Sequence, residues 1–132
     1  MEKYELIDYW IKSSDKDYQA MIHLWEKGDF TWALFIGHLV VEKLLKAVYV
    51  QKTSENPPFL HDLFRLAEKS GLLLDDSQKD LLDTITTFNI KARYDDYKME
   101  FYRKCSKEFT GKWIGCIEEL RKWIREDLLN QF

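Results

Sequence analysis

The sequence predicts an all-α fold: an antiparallel, up-and-down four-helix bundle with one additional short helix. Three observations carry that expectation. Apolar residues recur at three- and four-residue spacing through most of the chain, and no alternating strand pattern appears. Only 2 prolines and 5 glycines punctuate 132 residues, which favours long helices over many short strands. Hydrophobic residues make up 45% and aromatics 15%, ample for one packed core and inconsistent with disorder. At this length residues 1–132 read as a single domain.

The first helix is expected from about Tyr4 to Lys27. Ile7, Trp10 or Ile11, Ser14, Tyr18, Met21 and Leu24 or Trp25 form its buried stripe. Gly28 and Asp29 end it, Gly by taking the left-handed turn and Asp by capping the next helix. The second helix, Phe30 to about Thr53, is apolar on most sides. Such a helix is central, or it also packs against a second subunit. Pro57 and Pro58 close that segment. Leu60 to Ser70 reads as the short helix, stopped by Gly71. Asp75 or Asp76 caps a fourth helix through Lys91, with Leu81, Leu82, Ile85 and Phe88 at helical spacing. Residues 92–98, polar and aromatic, read as a loop or a frayed end. The last helix is expected from about Tyr102 to Leu129, its propensity weakened by Gly111 and Gly115.

The net charge of -3 excludes a whole-molecule basic field for gripping nucleic acid. Between Lys91 and Lys112 the chain is locally positive, which suits either a solvated helix face or a local anion site. Cys105 and Cys116 match no metal or redox spacing. On one helix they stand about three turns apart, too far to bridge. The polar start, Met1-Glu2-Lys3-Tyr4, carries no signal-peptide core. The apolar stretch Ala33 to Val50 is interrupted by His38, Glu42, Lys43 and Lys46 and is no membrane span. A cytoplasmic location is expected.

Phosphate loops, zinc spacings and a defensible Ser/His/Asp set are all absent from the sequence. No metal or cofactor is therefore expected, and no residue is assigned a catalytic role. Three stretches still bear chemistry. In the second helix His38 and Glu42 lie one turn apart and Lys46 a further turn on. That line can neutralise a phosphate, or it is a structural ion-pair ladder on a partly exposed face. His61-Asp62-Leu63 opens the short helix, where a histidine can also satisfy backbone groups. Arg93 offers a bidentate fork, with Tyr94 and Tyr97 available for stacking; its structural alternative is an ion pair with Asp62 or Glu42. His23 and the tryptophans (Trp10, Trp25, Trp32, Trp113, Trp123) read as core or interface.

Taken in order, these stretches resemble a known family. The run from Ala20 to Trp25, then Gly28-Asp29-Phe30-Thr31-Trp32-Ala33, then His38 with Val41-Glu42-Lys43-Leu44-Leu45-Lys46-Ala47, resembles the first half of a HEPN domain (higher-eukaryote and prokaryote nucleotide-binding). His61-Asp62-Leu63 and Ala92-Arg93-Tyr94-Asp95 are similar to its second half, and the resemblance covers roughly residues 4 to 129. It implies a bundle of four helices plus a short one, often dimeric.

The resemblance implies two different jobs. Many such domains are metal-independent ribonucleases whose Arg is followed, four to six residues on, by a His. Here Arg93 is followed by Asp95, Asp96 and Lys98, and no histidine comes after His61. Ribonuclease chemistry would then need His61 or His38 to reach Arg93 across the fold. The other branch, which the Glu-Lys-Leu-Leu-Lys-Ala and Ala-Arg-Tyr runs resemble more closely, pairs with a separate minimal nucleotidyltransferase, sometimes as a toxin-antitoxin-type module. The expectation is thus a homodimeric, non-catalytic nucleotide- or substrate-binding partner of such a transferase. Arg93, Tyr94, His38, Glu42, Lys46 and His61 would line its phosphate site. The alternatives are an RNA endonuclease and a protein-interaction module.

Overall fold

The computed structural model describes residues 2–129, which contain helices and no strand. In chain order these are α1 (Lys3–Lys27), α2 (Phe30–Thr53), α3 (Leu63–Lys69), α4 (Asp76–Lys91), α5 (Asp95–Lys104) and α6 (Lys107–Trp123), closed by a π-helical turn, Ile124–Leu128.

Gly28 ends α1 at φ 81°, its N–H reaching the carbonyls of Leu24 and Trp25. Only Gly28 and Asp29 separate α1 from α2, so the two form a hairpin. Its antiparallel course shows in the pairs that bind it. Ser14 Oγ donates to the Val40 carbonyl at 2.8 Å, Lys43 meets Asp17 at 2.7 Å, and Lys46 lies 5.0 Å from the Trp10 ring centre. α6 runs parallel to α2: Ile117 faces Gly37, and Gln51 Nε2 donates to the Leu128 carbonyl at 2.9 Å. α6 is antiparallel to α1, with Tyr18 Oη donating to Glu118 at 2.6 Å and Arg125 to Asp15 at 2.7 Å.

From Val40 to Val50, α2 is buried except at Lys43 and Tyr49. It packs on α1, α3, α4 and α6. Its all-round apolar character is therefore that of a central helix.

Three boundaries differ from those expected. α3 starts at Leu63 rather than Leu60, because the cap is Asp62, whose side chain accepts from the Arg65 N–H at 3.1 Å. Leu63 N–H then donates to Thr86 Oγ1 at 3.0 Å, tying α3 to α4. Residues 92–98 are not a loop throughout, since α5 begins at Asp95. Asp95 and Asp96 stand in its first turn and Arg103 and Lys104 in its last, the arrangement that the helix dipole favours. The last helix does not begin at Tyr102. Cys105 ends α5, and Ser106 caps α6 by accepting from the Phe109 N–H at 3.1 Å. The two cysteines consequently lie on different elements. Both are free thiols whose pKa burial raises.

α4 keeps the expected pattern, with Leu82, Ile85 and Phe88 buried. Phe88 meets Phe101 of α5 and Trp113 of α6, both at 5.6 Å between ring centres. Among the described residues no helix is long and apolar enough to cross a membrane.

Candidate functional site

Helical spacing along α2 puts His38, Glu42 and Lys46 in one line, and packing by its neighbours buries all three. A buried charge must be paired or it destabilises the fold by several kcal/mol. Glu42 supplies the pairing. Its Oε2 accepts from Lys46 Nζ at 3.1 Å, and its Oε1 accepts from His61 Nδ1 at 2.7 Å. The Lys46 ammonium also lies 5.0 Å from the Trp10 ring centre. The ladder expected on a partly exposed face is thus a buried one.

His61 reaches Glu42 from the segment that leads into α3. Its Nδ1 must carry the proton given to the carboxylate, which leaves Nε2 unprotonated in the neutral ring. The side chain is 60% exposed. His38 closes the network from beneath. Its Nε2 lies 2.9 Å from the His61 carbonyl and therefore donates to it, and 3.8 Å from Glu42 Oε1. Its Nδ1 is buried with no hydrogen-bond partner among the described residues. Burial holds the His38 pKa below its ordinary 6.5, against the raising effects of the His61 carbonyl and of Glu42. His38 is accordingly neutral at pH 7.

Arg93 sits in the turn between α4 and α5. Its Nε donates to the Asn89 carbonyl one helical turn back, at 2.9 Å. Its guanidinium carbon lies 5.5 Å from the ring centres of both Phe35 and Tyr94. Neither Asp62 nor Glu42 forms an ion pair with it, and the side chain is exposed. Its charge is nonetheless close enough to His38 to lower that group's pKa.

The fold therefore gathers His38, Glu42, Lys46 and His61 into one hydrogen-bonded network. Arg93 stands beside His38 without a bond to it. Tyr94, 54% exposed, accompanies Arg93 rather than the network. His23, read as core or interface, is exposed on α1, while Trp10, Trp25, Trp113 and Trp123 are half-buried and Trp32 is 44% exposed. Sequence reasoning missed Asn89 and Phe35 as supports of Arg93. The four-residue step from Asn89 to Arg93 was the available sign for one; nothing local pointed to the other.

The HEPN domain family model matches residues 7–127. No curated protein and no solved structure matches the chain.

Proposed function

Because the chain belongs to the HEPN domain family, we propose that it is a cytoplasmic, non-catalytic nucleotide-binding partner of a minimal nucleotidyltransferase, working as half of a toxin-antitoxin-type module. The observation that carries this reading is Arg93: an exposed guanidinium, oriented by the Asn89 carbonyl, with no carboxylate partner among the described residues. Arg93 supplies the bidentate contact to a phosphate, and His61 supplies a second donor when protonated. The buried Glu42 and Lys46 set the position of His61 rather than touch the ligand, and His38 holds its backbone.

Calorimetry with nucleotides and with the candidate transferase tests the reading. Arg93→Ala is expected to lower affinity tenfold or more, since a charged hydrogen bond contributes about 1.5–3 kcal/mol. Thermal stability should barely move, as the side chain is exposed. A variant that melts earlier but binds as before would make Arg93 structural and end the proposal.

One observation favours a second reading, metal-independent RNA cleavage. A histidine held through Nδ1 by a buried carboxylate, with its side chain 60% exposed, is an arrangement suited to a general base, and Arg93 is the cation that would stabilise phosphorane charge. Incubation of a structured RNA without metal separates the two. The first reading expects intact RNA; cleavage lost in both Arg93→Ala and His61→Ala would install the second.

A further inference from the structure

Between the start of α2 and α5 lies a cleft of about 290 Å³, apart from the network around Glu42. Phe30 and Trp32 line it from α2, and Met99 and Tyr102 from α5. Trp32 is 44% and Tyr102 69% exposed, so their rings are not absorbed by the core. Open aromatic surface gathered in a concavity marks a place where a planar apolar group binds. The volume lies at the small end of ligand pockets, which suits one ring system rather than a whole cofactor.

Asp29 gives the cleft a polar preference. It occupies the N-cap position of α2, yet its side chain makes no capping hydrogen bond. Its carboxylate accepts from no group among the described residues, and Asp29 is one of the residues that line the cleft. A carboxylate is an acceptor only, so it is satisfied by a ligand that presents N–H or O–H donors and is opposed by a carbonyl-rich edge such as that of uracil.

The position of the cleft links it to Arg93. Ala92, the residue before Arg93, forms part of the wall. Trp32 meets Phe35 edge-on at 5.6 Å, and the Arg93 guanidinium carbon lies 5.5 Å from the same Phe35 ring centre. Both the aromatic wall and the guanidinium therefore contact one phenyl ring.

We propose that this cleft is the base subsite of a nucleotide whose phosphates meet Arg93, and that it selects bases bearing an exocyclic amine over uracil. The inference rests on the nucleotide-binding reading above. The base stacks between Trp32 and Tyr102, and its amine donates to Asp29.

Binding of ATP, CTP, UTP and unphosphorylated adenosine to the full chain tests this, with Trp32→Ala, Tyr102→Ala, Asp29→Asn and Arg93→Ala compared at one salt concentration. ATP and CTP should bind at least roughly fivefold tighter than UTP, and Asp29→Asn should erase that preference while leaving UTP alone. Trp32→Ala should weaken every nucleotide by about tenfold. Tyr102→Ala, at a more exposed position, should weaken binding without touching the melting curve. Arg93→Ala should weaken the triphosphates but spare adenosine.

If the triphosphates respond to Arg93→Ala and ignore both aromatic variants, the base subsite is wrong while the phosphate reading stands. If adenosine binding depends on Trp32 but no triphosphate depends on Arg93, the subsite stands and the phosphate reading falls. An unchanged base preference in Asp29→Asn removes the role of the amine. No binding of any of the four ligands overturns both.

Discussion

Glu42 is the residue on which the buried polar network turns. Among the described residues it alone pairs with both Lys46 and His61, and its side chain is almost fully covered. Glu42→Leu would leave the Lys46 ammonium buried without a counter-charge. Removing one partner of such a pair costs about 3–5 kcal/mol, so chemical denaturation should show a loss of that order. Glu42→Leu with Lys46→Met should recover much of it, because apolar replacement of a whole buried pair is often neutral. A single variant as stable as the wild type would show that Lys46 escapes to solvent. His38 yields a pH prediction. As pH falls through 6.5 an unfolded His38 takes up a proton, while the folded one, its pKa lowered by burial, does not. The unfolded state then binds more protons, and stability drops as pH falls from 6.5 to the folded pKa. Melting curves between pH 7.5 and 5 should therefore decline more steeply for wild type than for His38→Gln. Parallel declines would mean that His38 protonates freely within the fold.

At the scale of elements, α1 and α4 were legible in the sequence through a strong apolar period and α2 through its nearly continuous apolar run, each with a recognisable stop or cap. The α4 cap is complete: Asp75 accepts from Gln78 N–H at 2.7 Å, and Gln78 answers with its own side chain at 3.0 Å. α5 was not legible, since it buries only Phe101 and its stability comes from terminal charges and one aromatic cluster. The cleft beside it was invisible for the same reason. The site was legible in part. Helical spacing aligned His38, Glu42 and Lys46, but that His61 would reach Glu42 depends on how α3 docks, which no local pattern encodes. Close approach of α1, α2 and α6 at Gly37 was equally hidden. A Cβ there would lie 2.5 Å from Ile117 Cδ1 and 3.1 Å from Met21 Sδ. Overpacking of this kind costs about 1–3 kcal/mol, against roughly 1 kcal/mol gained in helix propensity. Gly37→Ala should therefore destabilise by about 1 kcal/mol. Ile117→Val removes the clashing methyl, and the next carbon is at an ordinary 3.7 Å. Urea unfolding of the four proteins of this cycle should give a favourable coupling of about 1 kcal/mol. Strict additivity would mean that the helices shift apart instead.

At the scale of the whole molecule, the apolar surface of α2 divides into two parts. Its second half is consumed by the chain's own helices, which removes most of the surface that suggested a partner. What remains is the stripe near its start, with Trp32 exposed and Ile36 and Leu39 half-buried. Ile36 packs against the core cluster, whereas Leu39 stands outside it. We propose that a second copy covers Ile36 and Leu39, leaving Trp32 at the rim where the cleft opens. Apolar side chains at the centre of an interface contribute most to it, and a charge placed there without a partner opposes association. Sedimentation should accordingly show a dimer at micromolar concentration for wild type and a monomer for Leu39→Glu. Since Arg93 and the cleft belong to one copy, the Leu39→Glu monomer should keep its nucleotide affinity. A wild-type monomer would refute the homodimer. A dimer that survives Leu39→Glu would move the interface elsewhere, and a monomeric variant that loses nucleotide binding would mean that the second copy completes the site.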